Sequence, residues 1–267
     1  MLKDITIGQF FPGNSVIHKL DPRMKIILTA IYIALLFTAN NLYGLLVGVV
    51  FLVIIIPISQ IPMKMVLKGL KPIIPIIIFT TILNLFFISG GDTLVQWWIF
   101  KITSNGLKTT IFMIIRILCL IAGTSLLTYT TSPITLTDAI ERLLSPLKKI
   151  KVPVHELAMM MTIALRFIPT LIEETDKIMS AQKARGADIE SGGLMKRAKA
   201  LIPILIPLFV SAFRRAEELA LAMECRCYRG GDGRTRLKQL KTAPRDYIAL
   251  VIILIFLGLV ITANIIF

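Results

Sequence analysis

Apolar residues in this chain come in long unbroken runs rather than in alternation, and short polar breaks separate the runs. They cover about residues 24–39, 42–58, 72–88, 107–129 and 247–267. Each approaches the roughly 20 residues that carry a helix across a bilayer. Asp21 before Pro22 marks the start of the first, with Asp at the N-cap and Pro at the first helical position. The stretch from 132 to 245 differs, because apolar positions recur there at helical spacing with charges between them. Thr135-Leu136-Thr137-Asp138 has capping-box spacing, and Leu136, Ile140, Leu143, Leu144 and Leu147 follow on one face. That short helix suits a membrane surface.

Two long helices are predicted next, Val154 to Gly186 and Leu194 to Arg229, each apolar in its first half and charged in its second. The first would reach roughly 50 Å if fully helical. The apolar run Leu201–Phe213 in the second is too short to cross a bilayer and suits a buried or interfacial place. Pro169, Pro203 and Pro207 are expected to kink these rods. The turn Asp188-Ile189-Glu190-Ser191-Gly192-Gly193 separates them, and Arg229-Gly230-Gly231 offers a glycine cap to the second.

Composition turns this pattern into a class. The chain has 267 residues, 55% of them hydrophobic, and a mean hydropathy of +0.79. An all-α polytopic membrane protein with about five transmembrane helices and a cytoplasmic pair of long helices is expected. Its parts are an N-terminal membrane domain of four helices (1–131), a cytoplasmic or interfacial region (132–245) and a last transmembrane helix (246–267). The formal net charge is +14, and 20 of the 30 Lys and Arg residues lie between Arg142 and Arg245. Positive stretches beside a membrane mark the cytoplasmic side, which places the N-terminus, the Lys64–Lys71 link and the 132–245 region inside. Trp97-Trp98, in a loop with one lysine, suits an outer interfacial belt. Nucleic acid is a poor partner, because Glu173, Glu174, Asp176, Glu217 and Glu218 interrupt the basic residues. Cys119, Cys225 and Cys227 form no disulfide framework or zinc site, and polar residues from Lys3 to Lys19 do not read as a signal peptide.

One short pattern occurs twice. Ala181-Gln182-Lys183-Ala184-Arg185-Gly186 returns as Ala222-Met223-Glu224-Cys225-Arg226-Cys227. In both, an arginine near a helix C-terminus is flanked by small side chains. Such an arginine can enter a groove that bulkier neighbours would block, and its planar fork suits carboxylates and carbonyls there. Two such tips fit a partner with two equivalent sockets. The sites are therefore Ala184, Arg185 and Gly186, with Cys225, Arg226 and Cys227.

Together with these motifs, Phe11-Pro12-Gly13-Asn14-Ser15 and His18-Lys19-Leu20-Asp21-Pro22-Arg23-Met24-Lys25 resemble the transmembrane T component of energy-coupling factor (ECF) transporters. Phe167-Ile168-Pro169 before the first motif and Arg215-Ala216-Glu217-Glu218-Leu219-Ala220 before the second are similar to that family's coupling-helix signatures. Cys225 and Cys227 depart from it, since Ala and Gly are usual there. The resemblance implies a non-catalytic scaffold in the plasma membrane of a prokaryote. Two cytosolic ABC-type ATPases would dock through Arg185 and Arg226 and carry the ATP and Mg. A membrane-embedded S component would bind the vitamin or metal cargo. This chain would hold no cofactor or metal, and it has no G-x-x-x-x-G-K-[ST] phosphate loop.

Other residues admit two readings. Arg116, within the fourth apolar run, is either a structural brace or a contact for the S component. Met159 and Met160, with Met161, are either core or an adaptable surface for exchanged partners. His18, Asp21 and Arg23 suit a local capping cluster. An intramembrane protease is a weak rival, because His155-Glu156 is followed by Met159 and not by the second histidine of H-E-x-x-H. A self-sufficient carrier would place more polar groups along its spans. A scaffold for another cytosolic complex is the remaining alternative.

Overall fold

The computed structural model describes residues 10–87, 90, 93–97, 100–187, 193–231 and 239–266. It is helical apart from one hairpin. In chain order the elements are α1 (Pro22–Thr38), α2 (Leu42–Ser59), α3 (Met63–Leu70), α4 (Ile74–Phe87), β1 (Thr93–Trp97), β2 (Phe100–Thr103), α5 (Ser104–Thr130), α6 (Pro133–Leu144), α7 (Val154–Ala184), α8 (Leu194–Cys225) and α9 (Pro244–Ile266). The described residues divide into two units, 10–139 with 239–266 and 140–231, and the chain passes between them within α6.

The first unit is a bundle in which α1 is gripped at both ends. Asp21 is the N-cap, accepting from the Arg23 amide at 2.9 Å, and Pro22 follows at the first helical position. Burial opposes ionisation of Asp21. The side-chain and backbone hydrogen bonds from Arg23, and the charges of Arg23 and Lys25, outweigh it and hold the carboxyl below its usual 3.8. The Asp21 amide donates to Asp246 Oδ1 at 2.8 Å, tying the N-terminus of α1 to that of α9. At the far ends, Asn264 donates to the Thr38 carbonyl at 2.5 Å and accepts from the Asn40 amide at 3.1 Å. The two helices thus run parallel over one depth.

Against α5 the same helix runs antiparallel. Lys25 Nζ donates to the Thr130 carbonyl at 2.8 Å and to the His18 carbonyl at 3.2 Å. At the other end Arg116 donates to the Ala39 carbonyl, which caps α1. Each cation meets carbonyls that a helix end leaves unpaired. Between the clamps, Gly123 lets the backbones approach, since a Cβ there would lie 2.2 Å from the Tyr32 ring. Leu35, Leu36, Leu45, Ile253 and Val260 fill the core among α1, α2 and α9.

Among the described residues, five helical segments are long and apolar enough to cross a membrane: Leu42–Ser59, Met63–Leu85, Ser104–Thr130, Val154–Ala184 and Pro244–Ile266. The first run of the sequence, now α1, has only 17 residues. It still covers the depth of α9, because both of its ends are tied to that helix. The chain is therefore an all-α, multi-pass membrane protein. Val154–Ala184 is an addition to the spans expected from sequence. Its first half carries only Glu156 and Arg166 as charges, so hydropathy alone does not separate it from a span.

Two local expectations are corrected. The loop after α4 contains the antiparallel pair β1–β2, with Trp97 opposite Phe100; Trp98 lies outside the described residues. The cap of α6 is Ser132 and not Thr135. Ser132 Oγ accepts from the Thr135 amide at 3.4 Å, and its carbonyl accepts from the Leu136 amide at 2.9 Å. Proline at 133 favours this earlier start, since its missing N–H is harmless at the first helical position.

Candidate functional site

The second unit is dominated by α7 and α8, of 31 and 32 residues. Good helix formers fill both, and each continues through its internal prolines, Pro169 in α7 and Pro203 and Pro207 in α8. Their contacts fix an antiparallel pair. Glu174 Oε2 accepts from Arg215 Nη2 at 2.7 Å, and its other oxygen accepts from Ser211 Oγ. Further along α7, Gln182 Nε2 donates to the Pro203 carbonyl at 3.4 Å, so rising numbers on one helix meet falling numbers on the other. A cavity of about 240 Å³ lies between them, with Ile163, Phe167 and Leu171 of α7 facing Ala216, Leu219 and Ala220 of α8. The apolar half of each rod thus lies beside the charged half of its neighbour.

This pairing separates the two arginines. Arg185 lies 11 residues beyond Glu174, and Arg226 lies 15 residues beyond Ser211 in the opposite direction. At about 1.5 Å per residue the helix ends stand up to about 40 Å apart. The sequence repeat is therefore a repeat of end structure, not of neighbours.

Both ends have the same backbone. Arg185 is the C-cap of α7, and Gly186 follows with φ +83. The Ala187 amide donates to the Gln182 carbonyl and the Gly186 amide to the Lys183 carbonyl, both at 3.0 Å. Arg226 is the C-cap of α8, and Cys227 follows with φ 54. The Tyr228 amide donates to the Met223 carbonyl at 3.0 Å and the Cys227 amide to the Glu224 carbonyl at 2.8 Å. This is a Schellman motif at each terminus. Ala184 and Cys225 are the last helical residues, with one small side chain on either side of each arginine. Expected as the place where α8 ends, Arg229-Gly230 lies beyond the helix, and the left-handed position falls on Cys227. A side chain there costs about 1–2 kcal/mol against glycine.

Ala184, Arg185, Gly186, Cys225, Arg226 and Cys227 are all exposed. Neither guanidinium has a hydrogen-bond or ion-pair partner among the described residues. Each stands on the negative pole of a long helix, which favours the cation and aims it outward. Such ends offer a rigid, charged fork to an acceptor-lined groove.

The remaining candidates lie elsewhere. Arg116 is half-buried in α5, with its guanidinium 4.5 Å from the Phe112 ring centroid and 6.0 Å from that of Phe37. On α7, Met159 is half-buried and Met160 is 54% exposed. His155 pairs with Glu141 at 3.0 Å. His18 bonds Ser15 Oγ at 2.7 Å and the Phe11 carbonyl at 3.0 Å, while Arg23 pairs with Asp21 at 2.6 Å. Sequence reasoning missed the Glu174–Ser211–Arg215 bridge and the Lys25 clamp. A lysine at the second position of an apolar run was the available signal for the second.

A family model described as cobalt transport protein (CbiQ) matches residues 13–237. The chain is 59% identical over 250 residues to the energy-coupling factor transporter transmembrane protein EcfT of Clostridium kluyveri, covering 93% of each chain. It is 57% identical over 267 residues, all of both chains, to the protein of that name from Ruminiclostridium cellulolyticum. To the one from Bacillus subtilis it is 47% identical over 259 residues, 97% of this chain and 98% of the relative. The chain belongs to this family, the transmembrane components of energy-coupling factor transporters.

Proposed function

We propose that this chain is the non-catalytic scaffold of an ECF-type ABC importer, which couples ATP hydrolysis in two cytosolic ATPase subunits to movement of a membrane-embedded S component. The observation that carries this reading is the matched pair of C-cap arginines, exposed and alike in backbone, at opposite ends of one antiparallel helix pair. Two equivalent plugs far apart suit two ATPase subunits side by side, one at Arg185 and one at Arg226. Closure of the ATPases around ATP and Mg would change the distance between sockets. The pair would then shear about the Glu174–Arg215 bridge, and the S component would tilt to release a vitamin or metal ion.

Antiparallel packing also bears on orientation. If the pair stood upright in the bilayer, its tips would lie on opposite faces. Both reach the cytoplasm when the pair lies along the membrane, which favours a coupling role for Val154–Ala184 over a crossing one. Residues 1–131 and 246–267 would then hold the bilayer of a prokaryotic plasma membrane, with the N-terminus and the 132–245 region cytoplasmic. Arg116 serves as a brace in this reading, since it closes the end of α1. Met160, exposed on α7, is the better placed of the two methionines to meet an S component.

Co-purification tests the proposal. Wild-type chain should retain two ATPase subunits, and Arg185→Ala with Arg226→Ala should lose them while the chain stays in the membrane. Full retention by the double variant would remove the docking role.

A further inference from the structure

The bundle contains a cleft that neither the docking ends nor the helix clamps explain. It lies among α1, α2, α5 and α9 and measures about 410 Å³. Its wall is apolar nearly throughout, with Leu28, Phe51, Leu126 and Phe256 among the lining residues. An apolar cleft of this size is the kind of concavity in which a ligand of matching shape binds. The lip is open: Val16, Ile248 and Ile252, which all border the cleft, are 59%, 60% and 45% exposed.

Position and charge identify the occupant. The cleft starts at the tied N-terminal ends of α1 and α9, where Lys25 and Arg245 border it, and reaches Phe256. From Arg245 to Phe256 the rise along α9 is about 16 Å, close to half of a roughly 30 Å hydrocarbon core. That is the depth of one leaflet. At the mouth the other charges are engaged. Asp21 pairs with Arg23, Asp246 accepts from the Asp21 and Ala243 amides, and Lys25 serves carbonyls. Arg245 is exposed and has no partner among the described residues.

We propose that this cleft is a binding site for an anionic phospholipid, with one acyl chain between α1, α2 and α9 and the headgroup phosphate on Arg245. A cation at the interface and an apolar slot one leaflet deep match the two halves of such a molecule. The inference does not depend on what the ends of α7 and α8 bind.

Native mass spectrometry of the purified full chain, with phosphatidylglycerol and phosphatidylcholine of identical acyl chains as probes, tests it. Wild type should favour phosphatidylglycerol about fivefold, the effect of one cation near an anionic surface. Arg245→Gln should abolish that preference and leave phosphatidylcholine binding intact. Ala249→Phe, which narrows the slot, should weaken both lipids. Equal binding of the two probes by wild type, or a preference that survives Arg245→Gln, overturns the proposal. A photo-reactive residue in place of Ile252 in whole membranes supplies a second readout. A phospholipid adduct is expected, and a polypeptide adduct in its place would show that a protein helix occupies the cleft.

Discussion

The two units use charge in opposite ways. In the bundle, Lys25, Arg116, Asp21 and Asp246 all turn inward and hold helix ends together. In the helix pair, Arg185 and Arg226 stand at helix ends with no partner among the described residues. Core formation differs as well. Leu35, Leu36 and Leu45 of the bundle are buried almost completely, whereas among the described residues of α7 and α8 only Val154, Ala158 and Ile204 are buried. A charge that closes its own helix serves stability; a charge left open on a long rod is available to a neighbour. The pair is a strut with an exposed cation at each end.

Substitutions that separate these two uses give the largest effects. On the proposed docking, Arg185→Ala should weaken ATPase retention by about 2–5 kcal/mol, because acceptors in the ATPase groove would lose their cation. The melting temperature of the isolated chain should not move, since nothing within the described residues bonds to that guanidinium. Pull-down against an ATPase titration, paired with thermal unfolding in detergent, reads both quantities. A fall in melting temperature with assembly unchanged would reverse the assignment.

Lys25→Met should do the converse. It removes donors from the Thr130 and His18 carbonyls and from Thr131 Oγ1, all at the buried junction of α1 and α5. Stranding buried acceptors costs about 1–3 kcal/mol, so unfolding in detergent should come earlier by about that amount. Assembly with ATPases, measured on the folded fraction, should be unchanged. Loss of assembly without loss of stability would mean that the bundle, too, presents a charge to a partner.

Much of this contrast was legible in the sequence, and the reasons are local. Asp21-Pro22 is a self-contained start signal, and the apolar runs mark most spans by length alone. The small–Arg–small repeat pointed to helix C-termini, and there it lies. What could not be read depends on contacts distant along the chain. The antiparallel run of α7 and α8 follows from side chains such as Glu174 and Arg215, 41 residues apart. It sends the two arginines to opposite ends, although their sequence contexts are alike. The role of Lys25 likewise depends on an acceptor 105 residues away, the Thr130 carbonyl. The start of α6 was placed too late because Ser132 and Pro133 compete with the capping box at Thr135, and the serine–proline pair wins.

Within the strut, Glu174→Gln tests whether the two ends act through one body. The carboxylate joins α7 to α8 through Ser211 and Arg215, and the ion pair is partly exposed, with side chains 22% and 34% accessible. Solvent screening limits its worth to about 1 kcal/mol. Stability should change little. The separation of spin labels at positions 181 and 222 should broaden, as one bond that sets the alignment weakens. An unchanged distribution would place the register in apolar packing alone, across the cavity lined by Phe167 and Leu219.

The most local effect, confined to one helix end at a time, distinguishes the two tips from each other. Gly186 and Cys227 occupy the same left-handed position of the same motif, at φ +83 and 54. Only glycine takes that conformation without a Cβ penalty, which is about 1–2 kcal/mol. Gly186→Ala should therefore loosen the α7 end by about that amount, while Cys227→Gly should tighten the α8 end by a similar one. Amide hydrogen exchange at Ala187 and Tyr228, whose N–H groups close the two motifs, reports each end separately. Protection should fall at Ala187 in the first variant and rise at Tyr228 in the second, with no change at the other end. If Cys227→Gly instead lowers protection at Tyr228, the thiol holds that end in place, and the cysteine is a contact in its own right and not a small residue tolerated beside Arg226.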